Sequence, residues 1–542
     1  MKKKIPALLL GSVMTVGALA GCGSGVKGSG TGPSVGGNYY TTLNIVVDKT
    51  LAATAESGLE EFEKQWEEAV SESVGYPIDL VITQFDHTDY AGTLSRLLTT
   101  GAPGDPGYPD AMIMSASMLR QYQTTGLLWD MSEAYDEAEF QSRMNLPLIN
   151  LCMRTENDEQ YGFTPTYGNG CVTYVKQGWL DAVGMKIEDI KTFDDYYAML
   201  KAFTEQDPDG NGEGGTYGVI AAGYARMDEA PYINYLPEFW QDAYPSFHLD
   251  DKGVWVDGFT EQATIDALAR LHMAYEDGVI DPDTEEAGTK QAREKFFSND
   301  QSTSEGAFTY WAGTWAKTLG DNMIKNNVTT PDGDPETLVM LPPIQELRDS
   351  WGGYLNREAP VWVITDDGDG SDVRERAIFK ALFETMLDGD KVQTLWTYGA
   401  EDVHWSTHAD SFVLNEGTDT EESYSYEEGE FHLLPSPNDH NILWKKNHID
   451  PVLVIAPLTN GYVNNDPVVT ESNRFFTSHC VNAPAVPSCT SLTEYEADLV
   501  NEKTRLMNLA VVGEITPEEA VSIYLEEYGD ISATILEELN VK

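Results

Sequence analysis

Residues 43–47, Leu43-Asn44-Ile45-Val46-Val47, are a short β-rich run, and the residues that follow them decide the fold class. Leu59, Phe62, Trp66 and Ala69 recur at helical spacing, and Ile78 to Thr83 reads as a second strand. Leu94, Leu97 and Leu98 mark another helix before the strand Ala111 to Met114. Strand–helix–strand–helix–strand order implies right-handed crossovers and a mostly parallel sheet with helices on both faces. Ligands of such sheets sit beyond the carboxyl ends of the strands, which puts Gln84, Asp86 and Ser115 near a cleft.

The pattern continues along the chain. Thr192 precedes a helix bearing Phe193, Tyr196, Leu200 and Phe203, and Thr260 starts one bearing Ile265, Leu268, Leu271 and Tyr275. A second β/α return appears at Val361–Ile364, followed by a helix with Ile378, Leu382, Phe383 and Met386. Thr516-Pro517-Glu518-Glu519 is a capping box with proline at the first helical position, opening a helix with Val521, Tyr524 and Tyr528 on its apolar side. The acidic stretch Gly417 to Glu430 reads as a surface loop. No repeat of about 20–50 residues is visible, which argues against a solenoid.

Composition narrows the function. The 542 residues carry 34 Lys+Arg against 89 Asp+Glu, a formal net charge of −55. Phosphates are repelled by such a surface, so nucleic acid is excluded as a partner, and an anionic membrane requires a covalent anchor. With 41% hydrophobic and 11% aromatic residues the chain is globular, and its length fits two or more domains. After Ala20 no apolar run approaches the roughly 20 residues of a membrane span.

Lys2, Lys3 and Lys4 precede the apolar stretch Ile5 to Ala20, the order of a secretory signal. Its end, Leu19-Ala20-Gly21-Cys22, resembles a bacterial lipobox. That implies a signal peptide over 1–21, cleavage before Cys22 and fatty acylation of Cys22, palmitate among the acyl groups. Residues 22–38 then form a flexible tether rich in Gly, Ser, Thr and Pro. Gly32-Pro33-Ser34-Val35-Gly36 matches G-x-S-x-G but lacks the strand-to-helix elbow of a hydrolase. Four more cysteines, Cys152, Cys171, Cys480 and Cys489, permit three disulfide connectivities. A Cys480–Cys489 staple across a Pro-rich loop and free buried thiols are both open, and the spacing suits neither zinc nor C-x-x-C chemistry.

Six blocks stand out further along. They are Tyr161-Gly162-Phe163-Thr164-Pro165 running into Val172-Thr173-Tyr174-Val175-Lys176, Trp179-Leu180-Asp181-Ala182-Val183-Gly184, Asp207-Pro208-Asp209-Gly210-Asn211-Gly212, Gly352-Gly353-Tyr354-Leu355-Asn356-Arg357, Tyr398-Gly399-Ala400-Glu401-Asp402-Val403-His404-Trp405, and Val512-Gly513-Glu514-Ile515-Thr516. In this order they resemble the extracellular solute-binding lipoproteins (family 1) of carbohydrate ABC importers, the long subgroup related to lipoprotein-A-type and alginate-oligosaccharide-binding proteins. The resemblance implies an α/β, type II periplasmic-binding-protein fold: two lobes, each a mostly parallel sheet flanked by helices, with the cleft between. It places crossings near Tyr161–Tyr167 and Trp351–Arg357, with one lobe over 39–160 plus 356–405 and the other over 161–355 plus 406–542.

Oligosaccharides present apolar C–H faces and hydroxyls, so their binders combine aromatic platforms with a few fixed polar groups. Tyr310-Trp311-Ala312-Gly313-Thr314-Trp315 is the richest aromatic segment. Its Gly-x-Trp resembles that of maltose-binding-like proteins, implying that Trp315 lies against a sugar ring; a core residue at a helix start is the other reading. Tyr310 joins it. Tyr167 and Asn169 follow the first crossing, and Tyr354, Asn356 and Arg357 sit at the second, Arg357 as a ligand to hydroxyls or carboxylate or as a structural ion pair. His404 and Trp405 end their block. Trp240 and Tyr244 either extend the platform or pack inside.

Asp207, Asp209, Asn211 and the carbonyl of Glu213 resemble positions 1, 3, 5 and 7 of an EF-hand-like calcium loop of this subgroup. Gly215 and Thr216 stand where relatives carry acidic ligands, so a structural calcium and a metal-free Asx turn both stay open. No H-E-x-x-H or phosphate loop is present, and a glycosidase dyad is not readable among 89 acidic residues. The expectation is a non-enzymatic, monomeric, membrane-anchored protein that needs no cofactor, captures a carbohydrate and delivers it to an ABC permease. A surface polysaccharide-degrading enzyme and a peptide or small-solute binder on the same fold are the alternatives.

Overall fold

Eight strands form two four-stranded sheets: β1 (Thr42–Asp48), β2 (Asp79–Phe85), β3 (Ala111–Met114), β4 (Cys171–Lys176), β5 (Thr216–Ile220), β6 (Ser304–Trp311), β7 (Leu338–Met340) and β8 (Val361–Ile364). The computed structural model describes residues 34–35, 38–39, 42–48, 58–86, 89–103, 105, 107–140, 155, 158–164, 170–210, 215–227, 234–299, 303–347, 354–356, 361–414, 417, 421–435, 467–482, 486–487 and 489–540. Cys22, Cys152, Tyr167, Asn169, Asn211, Glu213 and Arg357 lie outside them.

The first sheet has the order β2-β1-β3-β8, with β1 parallel to β2 and β3, and β8 antiparallel to β3. The helix Leu59–Val74 crosses from β1 to β2 and buries Phe62, Trp66, Ala69 and Val70, the stripe its spacing predicts. The helix Tyr90–Thr100 crosses from β2 to β3 and buries Tyr90, Leu94 and Leu98. Val361–Ile364 extends this first sheet, and its helix continues through a wider π turn at Phe379–Glu384.

The second sheet has the order β7-β4-β6-β5 and is mixed. β6 runs parallel to β5, whereas β4 is antiparallel to both β6 and β7, so a mostly parallel sheet holds for the first sheet alone. Thr192 caps the helix Phe193–Gln206 in a reciprocal box with Asp195. The helix after Thr260 starts later than expected, at Gln262–Glu276, because Gly258–Thr260 forms a 3₁₀ turn. Thr516 and Glu519 cap the last helix, Pro517–Asn540, as their spacing predicts.

Two cores result. One gathers buried side chains from Leu43 to Phe163 and from Val361 to Ala400. The other gathers Cys171 to Tyr354, Phe476, and Leu499 to Leu539. The acidic stretch expected to be a loop forms half of an antiparallel hairpin, Asp410–Leu414 with Glu422–Tyr426. Its Ser-Tyr alternation is a period-two pattern that stacks Tyr424 and Tyr426 against Phe412, and the acidity masks it. Cys171, Cys480 and Cys489 are free thiols, so no Cys480–Cys489 staple forms; the Cys480 thiol donates to the Thr477 carbonyl at 3.7 Å instead.

Candidate functional site

At the carboxyl end of β2 the chain leaves the sheet into an open hollow of about 440 Å³, lined by Gln84, Phe85, Asp86, Asp89 and Thr93. Gln84 and Asp86 are thus brought together where parallel topology places a ligand. Asp89 accepts from the Thr93 hydroxyl at 2.9 Å and from Arg96 at 3.0 Å, and these bonds hold its carboxyl below its ordinary range. Tyr90 is buried with its ring 6.3 Å from that of Phe85 and its hydroxyl donating to the Ile113 carbonyl at 2.7 Å. Ser115, at the end of β3, caps the helix Ala116–Tyr122 by accepting from the Met118 N–H at 3.2 Å. The hollow offers an amide, a hydroxyl, two carboxylates and one aromatic ring, a set suited to hydroxyl groups.

A second site candidate lies at the carboxyl end of β6. Gly313 adopts φ 73°, a conformation that favours glycine, and turns the strand sharply into the helix Thr314–Lys325. Its N–H donates to the Ser472 hydroxyl at 2.9 Å, and the Ala312 N–H donates to the Gly170 carbonyl at 2.9 Å. A side chain at Gly170 would sit 2.1 Å from the Leu355 carbonyl, so the two passages of chain at 170 and 355 touch here. Trp311 and Trp315 stay half-buried at this turn. Tyr310 is buried, packs edge-on against Trp315 at 5.1 Å and accepts from Arg293 at 2.5 Å. The Arg293 guanidinium covers one face of Trp315 at 4.6 Å.

Other expected ligand residues are packing residues. Trp240 is fully buried and donates its indole N–H to the Tyr224 carbonyl at 2.8 Å, and Tyr244 is buried beside His248. Tyr354 is buried with its hydroxyl donating to the Leu341 carbonyl at 2.7 Å. His404 is fully buried, its Nδ1 accepting from the Ala400 N–H at 2.8 Å. Trp405 donates to the Gly399 carbonyl at 2.7 Å and stacks on Phe431 at 4.8 Å, in a small cluster with Tyr398 and Leu433. In Trp240, Tyr354, His404 and Trp405 the ring's polar atom serves a backbone group, which sequence spacing does not distinguish from ligand contact. Asn356 is half-buried, opposite Asn482 in the parallel pairing of Tyr354–Asn356 with Cys480–Asn482.

Asp207 and Asp209 converge on one hydroxyl, Thr216 Oγ1, each through Oδ1 at 2.8 Å. Two hard oxygen donors facing one point fit a calcium turn in chemistry, and of the four expected ligands these two are described. Asp89, Thr93 and Arg293 are the residues that reading the sequence did not single out. Asp89 and Thr93 had a signal, lying at i and i+4 at the start of the helix that follows β2; Arg293, remote in sequence, had none.

No family model matches the chain. Two curated relatives come from Bacillus subtilis: the lipoprotein LipO, 28% identical over 180 residues (32% of this chain, 34% of LipO), and the polygalacturonan/rhamnogalacturonan-binding protein YtcQ, 23% identical over 314 residues (55% of each chain). The matches therefore span about a third and about half of those relatives. Among solved structures, the HMO-binding ABC-transporter-associated solute-binding protein of Bifidobacterium longum infantis superposes with a TM-score of 0.60 at 14% identity, covering 93% of this chain and 100% of that one. Alginate-binding protein AlgQ2 gives 0.58 at 15% identity, covering 92% and 97%. The fold is that of the periplasmic solute-binding proteins. No helix among the described residues of this solute-binding fold is long and apolar enough to cross a membrane.

Proposed function

We propose that the chain is the substrate-binding protein of an ABC importer: it captures a carbohydrate, an oligosaccharide, between two lobes and delivers it unchanged to a membrane permease. The observation that carries this is the pairing of one fold with two complementary edges, a hydroxyl-binding hollow at Gln84–Thr93 and a tryptophan turn at Trp311–Trp315. A division into lobes 39–160 plus 356–405 and 161–355 plus 406–542 is supported by the two cores, although Phe163 packs in the first, and closing the lobes buries the ligand. Trp315 offers the sugar the face that Arg293 leaves open. The chain works as a monomer without catalysis, and a lipid on Cys22 holds it at the outer face of the cell membrane. A calcium ion on the Asp207–Glu213 turn would be structural, and a melting shift on adding calcium that is reduced in Asp209→Asn tests it.

The carboxylates of the hollow favour a neutral sugar, while Arg293 and the polygalacturonan named for one relative favour an acidic one. The deciding experiment is a thermal-shift screen of residues 23–542 with neutral oligosaccharides, acidic oligosaccharides and peptides, each bound ligand recovered and weighed by mass spectrometry. A ligand at 100 times its Kd stabilises the chain by about 2.7 kcal/mol. An intact sugar recovered from a stabilised chain supports the reading; cleaved sugar, or stabilisation by peptides alone, overturns it.

A further inference from the structure

The loop after β8 gathers acidic side chains at the opposite end of the first sheet from the hollow, since Ile364 at the end of β8 pairs with Ala111 at the start of β3. One oxygen from each of Asp366, Asp367 and Glu375 lies within 4.8 Å of the others. Asp366 and Asp367 are half-buried and each uses Oδ1 in a tight turn, accepting from the Gly368 N–H at 2.8 Å and the Asp369 N–H at 3.0 Å.

Glu375 is the informative member. It is 1% exposed, and its Oε1 accepts from Arg374 at 2.9 Å. Its Oε2 is sealed from solvent and has no hydrogen-bond partner. A buried carboxylate oxygen without a donor is costly, and native structures rarely keep one unless an ion or water completes it. Charge points the same way. Arg374 divides its guanidinium between Glu375 and Asp110, the latter at 2.5 Å, and Arg376 is engaged by Asp372, Glu133 and Glu137. Glu375 and Asp110 thus share one guanidinium.

We infer that Asp366, Asp367 and Glu375 bind one calcium ion, which pins the loop 365–372 to the helix Val373–Ile378. Calcium takes carboxylate oxygens at about 2.4 Å, so a single ion reaches oxygens separated by anything up to 4.8 Å. Water and backbone carbonyls complete its shell. The site is independent of the sugar reading and of the Asp207–Glu213 turn, which belongs to the other core.

The test is calorimetric titration of the EDTA-stripped chain with calcium chloride up to about 1 mM, the range of extracellular calcium modules, with melting curves in calcium, magnesium and EDTA. The chain carrying Asp209→Asn serves as background, which removes the second acidic turn from the count. In that background the expected result is one ion per chain, lost when Asp366→Asn and Asp367→Asn are added and lost again with Glu375→Gln. The doubly substituted chain should melt no lower than its parent in EDTA, since like charges are relieved, and lower than its parent in calcium. No calcium uptake, a count unchanged by Asp366→Asn/Asp367→Asn, or an equal rise in melting with magnesium overturns the site. So does a variant that melts lower in EDTA, because the carboxylates then act without an ion.

Discussion

The first core closes over aromatic and aliphatic side chains, with Phe163 stacked on Phe383 at 4.8 Å and Trp362 set edge-on against Trp396 at 5.7 Å. The second core buries charge throughout. Lys503 meets Asp257 at 2.6 Å, Asp257 accepts in addition from Tyr524 at 2.6 Å and Ser532 at 2.7 Å, and Lys176, Glu238, Glu305 and Glu336 are buried as well. Burial pushes the Asp257 carboxyl up, but Lys503 and the two hydroxyls outweigh it and hold it below its ordinary range. The difference follows from chain order. Three strands of the first sheet are neighbours in sequence, so hydrophobic register places them; the second core recruits helices up to 275 residues away, and a buried ion pair tells one apolar helix from another.

Breaking that contrast starts with Lys503→Met, which leaves Asp257 buried without its cation and should cost about 3–5 kcal/mol in urea unfolding. A loss below about 1 kcal/mol would mean that the second core rests on apolar packing despite its buried charges. The contrast sharpens when two tryptophans of the second core are compared. Trp240→Ala opens a cavity and should cost about 3–5 kcal/mol of stability, with ligand affinity unchanged. Trp315→Ala should weaken sugar binding by about 10- to 100-fold in calorimetry and move the melting temperature little.

Glu238 gives a pH signature. Burial pushes its carboxyl up to about 7 from an ordinary value of 4.5. The folded chain therefore keeps a proton that the unfolded chain has released, and stability falls as pH rises from about 4.5 to 7, by at most about 1.4 kcal/mol per pH unit from this group. Glu238→Gln should flatten that slope in denaturant unfolding across the same range; an unchanged slope assigns it to other groups. The smallest effect is expected at the hollow, where Asp86→Asn should change affinity for a neutral sugar only a few-fold and raise affinity for an acidic one.

How much of this the sequence reveals depends on whether a signal is periodic. Leu59–Ala69 and the Thr516–Glu519 box are local patterns with one physical meaning, and both stand in the structure as read. The direction of β4 is a different matter: antiparallel and parallel strands share the same side-chain alternation, and only the partner settles it. The position of Gln84 and Asp86 at the end of β2 was legible because topology alone sets it. The burial of Trp240, Tyr354, His404 and Trp405 was not, because a ring bonded to a buried backbone group and one facing a sugar are the same letters. Arg293 reaches Trp315 only through the packing of a helix against β6.

The three side-chain partners of Asp257 carry one more consequence, for the timing of assembly. Among the described residues, the buried side chains of the first core end at Ala400, with Val403 packed against them. Asp257 receives the Lys503 charge and the Tyr524 and Ser532 hydroxyls only once residue 532 exists, and Leu539 is the last side chain the second core buries. A growing chain therefore holds an unsatisfied carboxylate in its middle until its final helix is made. Of the two cores, the one with the tryptophan turn is the later to become whole.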